Sequence, residues 1–340
     1  MQSLTFVAPH RVEFREVLAP RLDAPVQALV RPLAVARCDL DLAFVRGVVP
    51  SPSAFGLGHE CVGEVIEIGD AVTTVAVGDR VIVPFQLSCG ACARCRNGQT
   101  GSCQAFPKLA AYGLAPLSGV DFGGAVSDVL RVPFADAMLV ALPAGLDPAI
   151  AAALGDNAID GFRTVDRALA RAPGAGVLVA GGGAVSVGLY AVAAARALGA
   201  GEVIYVDPSP ERAAIAERLG ATAVRAAPAP GLRAGRYPIT VDATSQPDGL
   251  RFAIASTDAG GTCTSVGVYF GDVALPLSEM YTRGIEFVTG RTDARRDLPA
   301  AAALATRGFD LAAVATTIID WSSAAEAWGE PATKLVVRRG

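Results

Sequence analysis

The feature that most constrains the fold is an uncharged stretch between Arg171 and Arg196. It begins with the short apolar run 177–180, continues through three consecutive glycines at 181–183 and ends in an alanine-rich segment. This order predicts a buried parallel strand, a tight turn and a helix. A membrane span is the alternative, because the stretch is long enough and the mean hydropathy is +0.41. The glycines interrupt such a span, so we favour the buried strand and helix.

Further alternation of strand and helix patterns follows this stretch, as expected for a doubly wound parallel sheet. The predicted strands are 203–206, 239–242, 262–266 and 285–289, and the predicted helices are 211–219 and 248–256.

The glycine turn matches the G-x-G-x-x-G template at Gly181 and Gly183, with Ser186 in place of the third glycine. Such a turn brings a pyrophosphate against backbone amides at a helix N-terminus. Asp207 ends the next strand, 26 residues after Gly181, where a carboxylate can bind ribose hydroxyls. Because this carboxylate repels a 2′-phosphate, the sequence favours NAD(H) over NADP(H).

Length and composition agree with two folded domains. The chain has 340 residues, of which 52% are hydrophobic and 18% charged, which excludes a disordered protein. A net charge of −4 gives no electrostatic reason to expect nucleic acid or an anionic membrane as a partner. The first residues carry acidic side chains and no apolar signal core, so we expect a cytoplasmic protein.

Four of the seven cysteines lie within fifteen residues and follow the spacing C-x2-C-x2-C-x7-C. In a reducing compartment this pattern indicates a structural zinc site, closed by four thiolates. An iron–sulfur cluster and a pair of disulfides are the alternatives. The predicted ligands are Cys89, Cys92, Cys95 and Cys103.

Three further motifs accompany this zinc lobe, in a fixed order along the chain. Gly58-His59-Glu60-x-x-Gly63 precedes Gly78-Asp79-Arg80-Val81, and the glycine turn follows the lobe. Together they resemble the zinc-containing medium-chain alcohol dehydrogenase family across essentially the whole chain. The resemblance implies a GroES-like, β-rich catalytic domain at 1–156 and 292–340, a Rossmann domain at 157–291, and a homodimer or homotetramer.

The resemblance also implies a catalytic zinc, and therefore two zinc ions per chain. Cys38, His59 and Asp156 match the ligand positions, with Glu60 next to the metal and Asp41 supporting the histidine. Three protein ligands leave one position for a substrate oxygen, whose pKa the metal lowers so that hydride can leave. Two alternatives stay open: Asp156 as a helix N-cap, and Asp160 as the third ligand.

The sequence departs from the family where a proton relay normally begins. Leu40 and Ala43 replace the hydroxyl residue and the histidine of that relay, so Asp39, Asp160, the cofactor ribose or water must carry the proton. The resemblance places further residues in two groups. The candidate substrate contacts are Leu40, Phe85, Asn157 and Asp160, and the candidate cofactor contacts are Gly181, Gly183, Ala184, Val185, Asp207 and Arg212.

These observations favour a zinc-dependent, NAD-linked oxidoreductase of a secondary alcohol, polyol or aldehyde. The missing relay leaves a second possibility on the same fold, a reductase of an activated C=C or C=N bond. A third possibility, from another class, is a non-enzymatic NAD-binding regulator, although a metal site with an open position argues against it.

Overall fold

The computed structural model describes residues 1–340, which form two compact units. The first unit comprises Met1–Ile159, Thr292–Thr306 and Ala315–Gly340, and the second comprises Asp160–Arg291 and Arg307–Val314. No helix combines the length and the apolar character that crossing a membrane requires.

The first unit is built mainly from short antiparallel strands, with small helices between them. Its elements are β1 (Gln2–Ala8), β2 (Arg11–Glu16), β3 (Ala28–Ala36), α1 (Asp39–Val45), β4 (Phe55–Gly56), β5 (Glu60–Ile68), β6 (Arg80–Val83), α2 (Ala93–Arg96), α3 (Ala115–Ser118), β7 (Leu130–Val132), α4 (Ala135–Met138), β8 (Val140–Ala141) and α5 (Pro148–Ala151). Helix α6 (Asn157–Arg171) follows and runs into the second unit.

The second unit alternates strands and helices, and the chain then returns to the first unit. The elements of the second unit are β9 (Val177–Ala180), α7 (Val185–Ala197), β10 (Val203–Val206), α8 (Pro210–Arg218), β11 (Thr222–Val224), β12 (Tyr237–Asp242), α9 (Pro247–Ala255), β13 (Thr257–Ser265), α10 (Leu277–Arg283) and β14 (Glu286–Thr289). The returning elements are α11 (Ala294–Ala305), β15 (Thr317–Asp320), α12 (Ala324–Ala327) and β16 (Leu335–Arg338).

A seven-stranded sheet dominates the first unit. Its order is β15-β16-β3-β5-β6-β8, and β7 pairs with β3 beside this path. Strands β3 and β5 are antiparallel, with Ala36 opposite Glu60, so the end of β3 lies beside the start of β5. This register brings the residues that follow β3 close to those that precede β5. A smaller sheet has the order β2-β1-β4.

The second unit holds a six-stranded sheet in the order β11-β10-β9-β12-β13-β14, and all its strand pairs are parallel. The chain moves outward in one direction from β9 to β11 and in the other from β12 to β14. The strand order therefore reverses between β9 and β12, the position at which doubly wound sheets bind their ligands. Buried apolar side chains from β9, β10 and α9 pack together as its core.

Candidate active site and cofactor site

Cys38 and His59 approach each other because of the β3–β5 register. Cys38 follows β3 and caps α1, whereas His59 directly precedes β5. Gly58 allows the sharp entry into β5: its φ is +86°, and a Cβ atom there would lie 2.7 Å from the Val126 side chain. A glycine therefore has to precede the histidine at this position.

Asp156 lies beside Cys38 and His59, directly after the 3₁₀ turn Ala152–Gly155. A Cβ atom on Gly155 would lie 3.0 Å from the Glu60 Cα, so the missing side chain lets this turn approach β5 closely. The Phe85 amide also donates to the Gly155 carbonyl at 3.1 Å. As a result, Asp156 Oδ2 lies 3.2 Å from His59 Nε2.

Four potential metal ligands converge here: one atom each from Cys38, His59, Glu60 and Asp156, all within 4.8 Å of one another. His59 is 1% exposed, Glu60 0% and Asp156 8%. The set combines a thiol, an imidazole and carboxylates, which are the ligand types of zinc. The acidic groups of Cys38, Glu60 and Asp156 crowd one buried histidine, so a divalent cation would balance their charge. The donor set fits zinc.

Asp41 connects two of these ligands. Its Oδ2 accepts a hydrogen bond from the Cys38 backbone amide at 3.0 Å, while Cys38 Sγ accepts from the Leu40 amide at 3.5 Å. Its Oδ1 lies 3.5 Å from His59 Nδ1, and both side chains are fully buried. A carboxylate behind a histidine orients the ring, so that Nε2 faces the cluster.

Burial and the neighbouring charges shift the pKa values of the side chains in the cluster. Burial by itself would lower the pKa of His59, but the Asp41 and Asp156 carboxylates raise it well above its ordinary value. Burial raises the pKa of the Cys38 thiol, although its hydrogen bond with His59 opposes the effect. A bound cation would reverse both trends, because metals bind the thiolate and the neutral imidazole.

Lys334 is a member of the site that the sequence motifs do not predict. Its Nζ lies 2.6 Å from Glu60 Oε1, and the side chains are 1% and 0% exposed. Burial raises the pKa of Glu60 to about 7, although the Lys334 ammonium acts in the opposite direction. Lys334 directly precedes β16, 274 residues after Glu60, so no local pattern links the two.

The predicted substrate contacts lie in different parts of the structure. The Phe85 ring lies 5.6 Å from the His59 ring, centroid to centroid, and Leu40 is half-buried in the first turn of α1. Asn157 is buried directly after Asp156. Asp160 belongs to the second unit, where its Oδ1 accepts from Arg163 Nε at 2.5 Å. Asp39 is half-buried at the start of α1.

The four-cysteine lobe forms a second cluster in the first unit. Its sulfur atoms lie within 4.8 Å of one another, and all seven cysteines of the chain are free thiols. Backbone amides point at the sulfurs: Cys92 Sγ accepts from the Gln104 amide at 3.4 Å and from the Cys95 amide at 3.5 Å. These hydrogen bonds lower the pKa of Cys92 to about 6. Four converging sulfur atoms, with backbone amides that favour the thiolate of Cys92, fit a closed zinc site.

The glycine turn of the second unit packs on the end of β12. The Gly183 amide donates to the Thr244 carbonyl at 2.9 Å, and the Ala184 amide donates to the Ala243 carbonyl at 3.0 Å. Both amides are therefore engaged by the two residues that follow β12, so a pyrophosphate bound here would meet the first turn of α7, from Val185. The sequence does not predict the role of residues 243–244, because their contact with the glycine turn depends on β12 lying beside β9.

Asp207 is completely buried at the end of β10 and is paired with Arg212. Arg212 Nε lies 2.8 Å from Asp207 Oδ2, and Nη2 lies 2.6 Å from Oδ1. The predicted acidic residue and the predicted basic residue are thus brought together in one bidentate ion pair.

Two family models match the chain: the alcohol dehydrogenase GroES-like domain at residues 24–144, and the zinc-binding dehydrogenase domain at residues 186–307. Glutathione-independent formaldehyde dehydrogenase of Pseudomonas aeruginosa is 34% identical over 64% of this chain, and the match spans 57% of that enzyme's own length. This chain therefore matches somewhat more than half of the length of that relative.

Several solved structures share the fold of this chain. The alcohol dehydrogenase of Thermus sp. ATN1 superposes with a TM-score of 0.90 at 29% identity, and each chain is covered completely. Acetophenone reductase of Geotrichum candidum in complex with NAD has a TM-score of 0.82 at 21% identity, covering 99% of this chain and 96% of that one. A Sinorhizobium meliloti dehydrogenase bound to NADP also has a TM-score of 0.82, at 24% identity, covering 99% and 98%. These last two show likeness of fold. The chain belongs to the zinc-containing medium-chain alcohol dehydrogenase family.

Proposed function

We propose that the protein transfers hydride between NAD(H) and an alcohol or carbonyl substrate, with zinc held by Cys38, His59 and Asp156. The observation that carries this proposal is the buried convergence of those three side chains with Glu60. Nothing in the fold itself requires four ionisable groups in one buried place. A set of three ligands with a neighbouring carboxylate is typical of a catalytic metal rather than a structural one.

A zinc ion bound there supplies Lewis acidity, which favours the alkoxide form of an alcohol or polarises a carbonyl group. The protein's part is to fix the ligands. Asp41 holds the His59 ring and the backbone of Cys38, and Lys334 keeps Glu60 paired inside the protein. Two of the three ligands are thus preorganised by a carboxylate that is not itself a ligand.

The surroundings of the cluster favour a substrate whose reacting end is small and largely apolar. Phe85 packs beside His59, and Leu40 stands where a relay hydroxyl is usual. Asn157 and Asp39 are the polar groups next to the ligands in sequence, and we assign them to substrate orientation and proton transfer. Asp160 is given neither role, because its carboxylate is engaged by Arg163.

The second unit supplies the dinucleotide site in this proposal, and NAD(H) is the preferred cofactor. Asp207 carries a buried negative charge at the ribose position, which disfavours a 2′-phosphate. The relatives by fold include proteins with NAD and with NADP bound, so the preference rests on this residue alone.

A homodimer or homotetramer is part of the proposal. Strand β14 pairs only with β13 and forms an edge of the six-stranded sheet. Large apolar side chains nearby in the sequence are exposed, including Phe270 at 73% and Tyr281 at 87%. An open strand edge and exposed apolar side chains each favour association. The free thiols suit a reducing compartment such as the cytoplasm.

The test is hydride transfer followed by NADH absorbance, with a panel of secondary alcohols, polyols and small aldehydes. The aldehyde named for the Pseudomonas relative is one member of the panel. We expect Asp156→Ala to abolish turnover of every alcohol and carbonyl substrate. The missing relay supports one alternative, reduction of an activated C=C or C=N bond, for which activity would survive Asp156→Ala.

A further inference from the structure

Tyr205 lies in β10, two residues before Asp207, so the two side chains share one face of the sheet. It is completely buried, and its hydroxyl donates a hydrogen bond to Asp207 Oδ2 at 2.9 Å. Neither the glycine turn nor the ribose carboxylate requires a tyrosine here. The residue is therefore an addition to the pattern of glycines and acidic residue that defines the dinucleotide motif.

The same hydroxyl touches the glycine turn. A Cβ atom built on Gly181 would collide with the Tyr205 hydroxyl and would lie 2.5 Å from Asp207 Oδ2. One built on Gly188 would lie 3.7 Å from Tyr205 Cε2. Tyr205 is thus packed between the glycine turn and the Asp207 carboxylate. It links the two recognition elements through a single hydroxyl.

Four donors surround the Asp207 carboxylate. Oδ2 accepts from Tyr205 and from Arg212 Nε, and Oδ1 accepts from the Ser209 amide at 2.8 Å and from Arg212 Nη2. A carboxylate has about four acceptor sites, so all of them are in use. Ribose hydroxyls can bind only when a donor leaves. Tyr205 and Ser209 donate from a buried ring and from the backbone, whereas the Arg212 side chain is 22% exposed and can swing aside.

We propose that Tyr205 is a positioning residue for cofactor selection. When Arg212 turns away, the Tyr205 hydroxyl keeps the Asp207 carboxylate against Gly181, in the orientation that accepts the adenosine ribose hydroxyls. Without the hydroxyl, the carboxylate follows Arg212 away from the glycine turn. The protein then loses affinity for an unmodified ribose and discriminates less against a 2′-phosphate. This inference rests on the proposed function only in that the ligand is a dinucleotide.

The experiment is isothermal titration calorimetry of the full-length protein with ADP-ribose and with its 2′-phosphorylated counterpart, without any substrate. Tyr205→Phe keeps the ring and removes the hydroxyl. We expect about a tenfold weaker Kd for ADP-ribose, the size of one charge-assisted hydrogen bond, and less than about a twofold change for the 2′-phosphorylated ligand. The matched control is Tyr237→Phe, which removes a partly exposed hydroxyl bonded to Glu202 at 3.2 Å and should change neither Kd.

A double-mutant cycle separates positioning from a general loss of structure. If Tyr205 acts through Asp207, then Tyr205→Phe has no further effect on the ratio of the two Kd values in an Asp207→Asn background. Equal weakening for both ligands, or no change for ADP-ribose in a variant with unaltered thermal unfolding, overturns the inference. If the protein binds ADP-ribose as described but transfers no hydride, only the proposed function falls. If the unmutated protein binds neither ligand, both fall.

Discussion

Asp41 Oδ1 lies 3.5 Å from His59 Nδ1, and both side chains are completely buried. The other carboxylate oxygen of Asp41 accepts from the Cys38 amide at 3.0 Å. One carboxylate therefore sets the position of two of the three proposed zinc ligands, although it belongs to neither the Gly-His-Glu motif nor the ligand set. The arrangement makes Asp41 a sensitive point of the site.

Replacing Asp41 by Ala should remove both contacts, tilt the His59 ring and weaken metal binding. Loss of a group behind a metal ligand typically costs about 10- to 100-fold in affinity or activity, and we expect a loss of that size in kcat/KM. Asp41→Asn keeps an acceptor oxygen and should lose less. The measurement is kcat/KM together with zinc content. Full zinc occupancy and unchanged kcat/KM in Asp41→Ala would show that the contact positions nothing.

Replacing Lys334 by Met should strongly destabilise the fold, because it leaves the Glu60 carboxylate buried without its partner. Breaking a buried ion pair from one side costs about 3–5 kcal/mol of unfolding free energy. The double variant Glu60→Gln with Lys334→Met should recover most of the loss, since no unpaired charge remains. Urea unfolding of the three proteins provides the comparison. Equal stability of Lys334→Met and the parent protein would refute the argument.

Replacing Cys95 by Ser should release the zinc of the four-cysteine lobe and lower the melting temperature. Cys263→Ser is the matched control: it alters a buried cysteine of the second unit that belongs to neither cluster. Both variants are expected to unfold earlier than the parent protein, but only Cys95→Ser should lose one zinc per chain. Elemental analysis measures the zinc content of both variants. An unchanged zinc content in Cys95→Ser would show that the four-cysteine lobe binds no zinc.

The stability contribution of Asp136 should depend on pH. Burial opposes the effect, but the amide and hydroxyl donors of Thr73 and Thr74 lower the pKa of Asp136 to about 2. An unfolded aspartate titrates near 3.9, so the contribution is complete above about pH 4 and is lost as the pH falls towards 2. Asp136→Asn should therefore melt below the parent protein at pH 5, with the difference shrinking on acidification. A difference that stays constant from pH 5 to pH 2 would contradict this assignment.

Much of the fold and of the site was predictable, because the signals are local. Strands β9 and β10 follow from two separate apolar runs, and the start of α7 follows from the glycines after the first run; the structure places them as predicted. The convergence of Cys38, His59 and Asp156 followed from the family resemblance, and the β3–β5 register provides its physical reason. The four-cysteine cluster was predictable from spacing alone.

Other features were not predictable, because they depend on contacts across long stretches of chain. Nothing near Lys334 indicates that it pairs with Glu60. The carbonyls of Ala243 and Thr244 meet the glycine turn only through the strand order of the sheet. Asp160, in contrast, has a partner close to it in the sequence. It is an alternative third ligand and a candidate substrate contact in the sequence, and in the structure its neighbour Arg163, one helical turn further on, engages the carboxylate.

The most direct test of the proposed mechanism is the number of zinc ions per chain, measured by elemental analysis on gently purified protein. The proposal predicts two per chain, and one in Asp156→Ala, because the four-cysteine lobe keeps its own metal. One zinc per chain in the parent protein, not raised by added metal, would contradict a catalytic zinc at Cys38, His59 and Asp156. The search for substrates would then turn to activated C=C and C=N bonds.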